Sequence, residues 1–141
     1  MLKQVSIFAE NQKGQMQRIT DILDKKGINI LGSVTNDSAE YGIIRMVVSD
    51  TDVAVEALVD AGYICRTTDV IGVEIDDHPG ALNNLLKTLY ESNVSVNYLY
   101  LSFNRDSGMP IIVLSTEDIM EVEACLSSNG FVCTNRVEQR M

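Results

Sequence analysis

Hydrophobic and polar positions alternate at the start of the chain. Val5 and Ile7 are separated by polar residues, the period of a strand with one buried face. The period then changes. Met16, Ile19, Ile22 and Leu23 recur at three- and four-residue intervals and predict a helix. Lys25 and Lys26 suit the negative end of that helix, and Gly27 can take the left-handed conformation that stops it. Strands are predicted over 28–34 and 43–48, with the turn NDSAEYG between them. Asp50, Thr51 and Asp52 can cap a second helix carrying Val53, Ala57, Leu58 and Ala61. Gly62 ends it, and 63–67 form a last short strand. The order is β-α-β-β-α-β, a four-stranded antiparallel sheet with both helices on one face.

The same pattern then recurs. With an offset of 66, Gly14 meets Gly80, Met16 meets Leu82, Ile19 meets Leu85 and Leu23 meets Leu89, while Ile28 and Ile30 meet Val94 and Val96. If the second copy carries two extra residues, Ser49, Leu58, Gly62 and Cys65 go on to match Ser115, Leu126, Gly130 and Cys133. Self-similarity at a fixed period signals duplicated structural units. The predicted fold class is therefore α+β, two ferredoxin-like repeats over residues 1–68 and 69–141.

A unit of that size buries only about 60% of its unfolded surface and is marginal alone. Two features predict that the copies fold together. YICRTTDVIGVEI leads from one repeat into the next with no linker, and 99–103 and 111–114 are apolar at positions of both parities. A strand with water on one face would alternate. The expectation is that another copy or a second chain covers the far face or edge; central strands with ordinary exposed apolar residues are the alternative. Leu99, Leu101 and Phe103 suggest that a further chain joins as a homodimer.

Charge narrows the range of partners. Eleven Lys and Arg stand against 20 Asp and Glu, a net charge of −9. Nucleic-acid backbones and anionic membranes are bound through basic residues, so neither is an expected partner. No stretch approaches the roughly 20 apolar residues of a membrane span, and the N-terminus lacks a signal-like apolar core. Cys65, Cys125 and Cys133 are odd in number and lack C-x-x-C spacing. They read as reduced thiols packed in the core of a cytoplasmic protein.

Catalytic signals are weak. The one histidine, His78, stands in a loop beside carboxylates rather than beside a nucleophile. Asp76, Asp77 and His78 are adjacent and diverge, so no metal and no other cofactor is expected. No phosphate-binding loop with its Lys-Ser/Thr is present. Acyl-phosphate hydrolases of this topology need an arginine after the first strand, where only Lys13 stands, with Arg18 inside the helix. RNA-binding modules of this topology need aromatics on the first and third strands, where Phe8 alone is a candidate.

The stretch DDHPGALNNLL (76–86) places a glycine at the start of a helix, and Gly14 repeats the arrangement. A helix start carries unpaired N–H groups and partial positive charge, and a glycine leaves them open to a carboxylate. A tight strand-to-helix turn would also account for the glycine. Pro79 suits a first helical position. Asn11 and Asp77, each three residues before its glycine, can accept from an ammonium group. Asn29 in GINI, with Ser95 as counterpart, points away from the core and towards a neighbouring unit because Ile28 and Ile30 claim the inward parity, and its amide is a further candidate for the ammonium group.

These stretches resemble the ACT domain, the amino-acid-sensing module attached to phosphoglycerate dehydrogenase, aspartokinase and related enzymes. Its signature resembles D-x-PG-x-L at the first loop and helix, then G-[IV]-N-I at the second strand. DDHPGALNNLL and KKGINI supply one half each. The resemblance spans essentially the whole chain as tandem modules, leaving no room for a catalytic domain. It implies amino-acid binding between two modules, through the loop before the first helix and the start of the second strand. That marks Asn11, Gln12, Gly14, Gln15, Met16 and Asn29 in the first copy, and Asp77, His78, Gly80, Ala81, Leu82 and Ser95 in the second. The first copy has Lys13 in place of the proline but keeps both asparagines; the second keeps Pro-Gly and loses both. One competent site, or mixed sites, is expected over two equal ones.

The expected function is a non-catalytic regulatory or sensory protein that binds a free amino acid and acts on a metabolic enzyme or regulator. Its backbone N–H groups at Gly14, Gln15 and Met16, or their counterparts, would hold the carboxylate. Two rivals remain at this point: an interaction module with a vestigial loop, and a small ferredoxin-like enzyme acting on an acyl phosphate.

Overall fold

The computed structural model describes residues 2–10, 12–37 and 41–135. The first repeat builds β1 (Leu2–Glu10), α1 (Gln15–Lys25), β2 (Ile30–Asp37), β3 (Tyr41–Val48) and α2 (Thr51–Asp60). β4 (Ile64–Glu74) then passes from the first repeat into the second without interruption. α3 (Ala81–Glu91), β5 (Tyr98–Phe103), β6 (Pro110–Ser115), α4 (Ile119–Ser128) and β7 (Val132–Thr134) follow. Two compact units result. One holds Lys3–Thr68; the other runs on from Asp69 and includes Leu2.

Both units have one topology. The first orders its strands β2-β3-β1-β4, and the second β5-β6-β4-β7. β3 runs antiparallel to β1 and β2, and β6 antiparallel to β4 and β5. Ile7 faces Ile44 across the first sheet as Val73 faces Ile112 across the second. These are the antiparallel ferredoxin-like units that the periodicities predict.

The core residues are the ones the repeat aligned. Val5, Ile7, Ile19, Leu23 and Leu58 are buried in one cluster; Ile71, Val73, Leu85, Leu89 and Leu126 are buried in the other. Each such side chain contributes about 1.5–3 kcal/mol on leaving water. Helices start and stop where the sequence allows. Asp50 accepts from the Val53 N–H at 3.2 Å and caps α2. α1 is followed by Gly27 at φ 69°, and α3 by Asn93 at φ 59°, the residue type next most tolerant of that region.

Three expectations change. β2 starts at Ile30 rather than Ile28, because Asn29 is bound to Ser49: its N–H donates to the Ser49 Oγ, and its carbonyl accepts from the Ser49 N–H, each at 2.9 Å. A register shift between Ile30 and Gly32 follows. Pro79 lies before the capping Gly80, outside the first helical position. The apolar strands also separate. Ile111, Ile112, Val113 and Leu114 are buried on both faces within the single chain, whereas Leu101 and Phe103 on the edge strand β5 stay 64% and 50% exposed.

Candidate functional site

α1 and α3 begin alike. Each has a glycine as N-cap, Gly14 at φ 88° and Gly80 at φ 90°, and neither helix has a side-chain cap. A residue with a Cβ is strained in that backbone conformation, which is sufficient reason for glycine at both places. A Cβ would meet nothing within 4 Å at either position, so the space in front of each helix start is open.

The donors differ from expectation by one residue. The Gln15 N–H is already bonded to the Gln12 carbonyl at 3.3 Å, and the Ala81 N–H to the His78 carbonyl at 3.2 Å. Helical bonding begins with Arg18 to Gly14 and Asn84 to Gly80. The N–H groups of Met16 and Gln17, and of Leu82 and Asn83, are therefore the unpaired first-turn donors among the described residues.

A cleft of about 430 Å³ lies at the mouth of α1. Glu10, Gln12, Gly14 and Met16 come from the β1 end and the helix start; Thr35, Gly42 and Ile44 come from β2 and β3. Gln12 Nε2 donates to Glu10 Oε2 at 2.8 Å. Gln15 stands at its edge, its Oε1 accepting from the Tyr63 hydroxyl at 2.7 Å. Arg18 is held over the Tyr63 ring at 5.1 Å and donates to the Ala61 carbonyl at 3.2 Å. Asn11 lies outside the described residues.

The mouth of α3 opens in another direction. Its cleft of about 310 Å³ is walled by Glu74, Asp76, His78, Ala81 and Asn84, and by the Asn129–Val132 turn into β7. His78 Nε2 lies 3.7 Å from Asp76 Oδ2, and its Nδ1 lies 3.0 Å from the Pro79 carbonyl. Asp77 is exposed, Leu82 is exposed and Ala81 is buried.

The structure separates the other two candidates from these mouths. Asn29 follows the C-terminal end of α1, so the 11 residues of the helix, about 16 Å at 1.5 Å each, stand between it and Gly14. Ser95 has the same relation to Gly80. It lines a separate cavity of about 720 Å³ beside Thr116 and Glu117, where the second repeat carries its two extra residues. Within a single unit, then, the loop and the strand start cannot close on one small ligand. Sequence reasoning missed Glu10, Thr35, Gly42 and Ile44. Glu10 was visible as the neighbour of Asn11, but nothing local signals the other three, which reach the cleft through strand pairing.

The thiols of Cys65 and Cys133 are half-buried rather than fully enclosed. Burial raises the pKa of both, and Glu123 adds to the effect at Cys133 against a hydrogen bond from Ser127. Among the described residues no group of three or more His, Cys, Asp or Glu is placed to hold a metal ion. No described helix is long and apolar enough to cross a membrane.

Comparison with known proteins agrees with this architecture. A family model described as an ACT domain pair matches residues 1–133. No curated protein matches the chain. The solved structure of a protein from Bacteroides thetaiotaomicron is 31% identical, with a TM-score of 0.86, over 94% of this chain and 91% of that one. The ligand-free regulatory subunit of aspartate kinase from Thermus thermophilus is 15% identical with a TM-score of 0.64, over 89% of this chain and 88% of that one. The corresponding subunit from Thermus flavus is 16% identical with a TM-score of 0.56, over 89% and 88%. These last two share the fold. With the same strand order twice, a glycine at the mouth of the first helix each time, and a family match across nearly its whole length, the chain belongs to the ACT domain pair family.

Proposed function

We propose that the protein is a non-catalytic regulatory ACT pair that binds a free amino acid. The observation that carries this reading is the twin helix mouth: open space in front of Gly14 and Gly80, with unpaired N–H groups behind it. A carboxylate placed there meets two donors and the positive end of a helix dipole. The cleft of about 430 Å³ at Gly14 and Met16 is of a size for a small metabolite, and the cleft of about 310 Å³ beside α3 is walled by His78 and Ala81 rather than by Gly80 or Leu82.

The ligand-binding set is Gln12, Gly14, Met16 and, in the loop, Asn11 for the first domain (1–68). For the second (69–141) it is Asp77, His78, Gly80, Ala81 and Leu82. Gln15 joins through its backbone. Asn29 and Ser95 lie too far along their own units and serve only in a site completed by another module. The pair works as a homodimer in the cytoplasm, with a metabolic enzyme or its regulator as the protein it controls.

A thermal-shift screen against the twenty amino acids tests the reading. A ligand present at a hundred times its dissociation constant stabilises by about 2.7 kcal/mol, a rise of several degrees for a protein of this size. A rise with one or two amino acids is the expected outcome. No rise with any of them at 10 mM, a concentration roughly matched to the weak affinity of so small a ligand, overturns it in favour of an interaction module.

A further inference from the structure

We propose that the cleft of the first unit selects an amino acid with an uncharged aliphatic or thioether side chain, and that Glu10 receives its ammonium group. This inference rests on the amino-acid reading above and adds the class of ligand to it.

The choice of ligand follows from the groups that the cleft leaves available. Besides Glu10 the cleft has four polar side chains, all uncharged, and three of them are already partly engaged. Gln12 is bonded to Glu10, Gln15 to Tyr63, and the Thr35 hydroxyl approaches the Met16 sulfur at 3.9 Å. The fourth, Gln17, is exposed on the helix. What remains behind them is apolar: Ala9 and Ile44 are buried members of the unit's core cluster, and Met16 is 43% exposed above them. The cleft is thus an opening onto the end of the hydrophobic core, with α1's first turn as its rim.

Among the described residues no Lys, Arg or His lines this cleft. An acidic side chain would find no counter-charge and would be repelled by Glu10. A basic side chain would compete with the ligand's own ammonium for one carboxylate, and its charge would lie against Ala9, Met16 and Ile44. Taking an unpaired charge out of water costs far more than such contacts return. An aliphatic or thioether chain loses nothing there, and Met16 adapts to its shape because a thioether on an unbranched chain is flexible.

Glu10 is placed for the ammonium group. It belongs to the cleft wall, and among the described residues its carboxylate is engaged only at Oε2, by Gln12. Asn29, a candidate for the ammonium group alongside Asn11 and Asp77, lies past the far end of α1. The second unit offers a different wall, with Glu74, Asp76 and His78 around the mouth of α3, so the preference belongs to the first unit.

Isothermal titration of the full-length protein with leucine, methionine, aspartate and lysine tests the proposal. Leucine or methionine should bind at least ten-fold more tightly than aspartate or lysine. Met16→Ala should weaken that ligand several-fold, while Tyr90→Ala, at an exposed position outside both clefts, should leave it unchanged. Glu10→Gln should weaken leucine but not 4-methylpentanoate, the same carboxylate without the amine. If aspartate or lysine binds best, or if Met16→Ala weakens leucine binding no more than Tyr90→Ala does, the proposal fails while amino-acid binding stands. If none of the twenty amino acids binds, both fail. Circular dichroism of each variant separates lost binding from lost folding.

Discussion

The hydroxyl of Tyr63, buried next to the start of β4, donates to the Gln15 Oε1 at 2.7 Å in the first turn of α1. Residues 48 positions apart thereby fix the helix mouth against the end of the repeat. This bond engages the side-chain oxygen of Gln15 at the edge of the cleft, and Arg18 stacks over the same ring.

Tyr63→Phe should therefore lower stability by about 0.5–1.5 kcal/mol, the usual net value of one hydrogen bond. Urea denaturation measures it. The freed Gln15 side chain should also make the cleft more tolerant of polar ligands. An unchanged midpoint would show that the bond contributes nothing.

Gly14→Ala and Gly80→Ala should each destabilise by about 1–2 kcal/mol, the cost of a left-handed conformation for a residue with a Cβ. The open space at both sites excludes a clash as a further term. The two losses should therefore be similar. A much larger loss at one site would mean that its glycine is closely packed.

The raised pKa of Cys65 and Cys133 makes stability depend on alkaline pH. Below the usual thiol value of 9.0, folded and unfolded states are both protonated. Above it the unfolded chain loses its thiol protons first, so the folded state binds more protons and stability falls as pH rises. Urea midpoints should decline from pH 8 to pH 10. The Cys65→Ala/Cys133→Ala double variant should reduce that decline, and an identical slope in the variant would remove the thiols as its cause.

Leu101 and Phe103 give the edge strand β5 an exposed apolar row. Arg105 covers one side of the Phe103 ring at 3.9 Å and leaves Leu101 bare, and an exposed apolar edge of this kind invites pairing with another chain. Light scattering should show twice the chain mass of 15.6 kDa. Leu101→Lys should shift the population towards the single-chain mass. A monomer in the unsubstituted protein at working concentration would sink the homodimer.

The duplication was legible from the sequence because each unit must bury the same face. Ile19 and Leu85, Leu23 and Leu89, and Leu58 and Leu126 keep an apolar character under selection by the same core, so their spacing survives low identity. The glycine mouths and the end of α1 were legible for a local reason. Left-handed backbone belongs to Gly and, less often, Asn, as Gly14, Gly80, Gly27 and Asn93 show.

The composition of the clefts was not legible. Thr35, Gly42 and Ile44 reach the mouth of α1 only because β3 pairs with β1 and β2 in one register, and a hydrogen-bond ladder is not encoded in any single segment. Likewise, the family resemblance grouped Asn29 with Gly14 in a site between modules, and within one unit the length of α1 stands between them. Sequence alone thus determined the periodic burial and the turn chemistry, since both act over a few neighbouring residues. Tertiary structure decided which side chains share a cleft and which polar groups are already satisfied, since both depend on contacts between residues far apart in the chain.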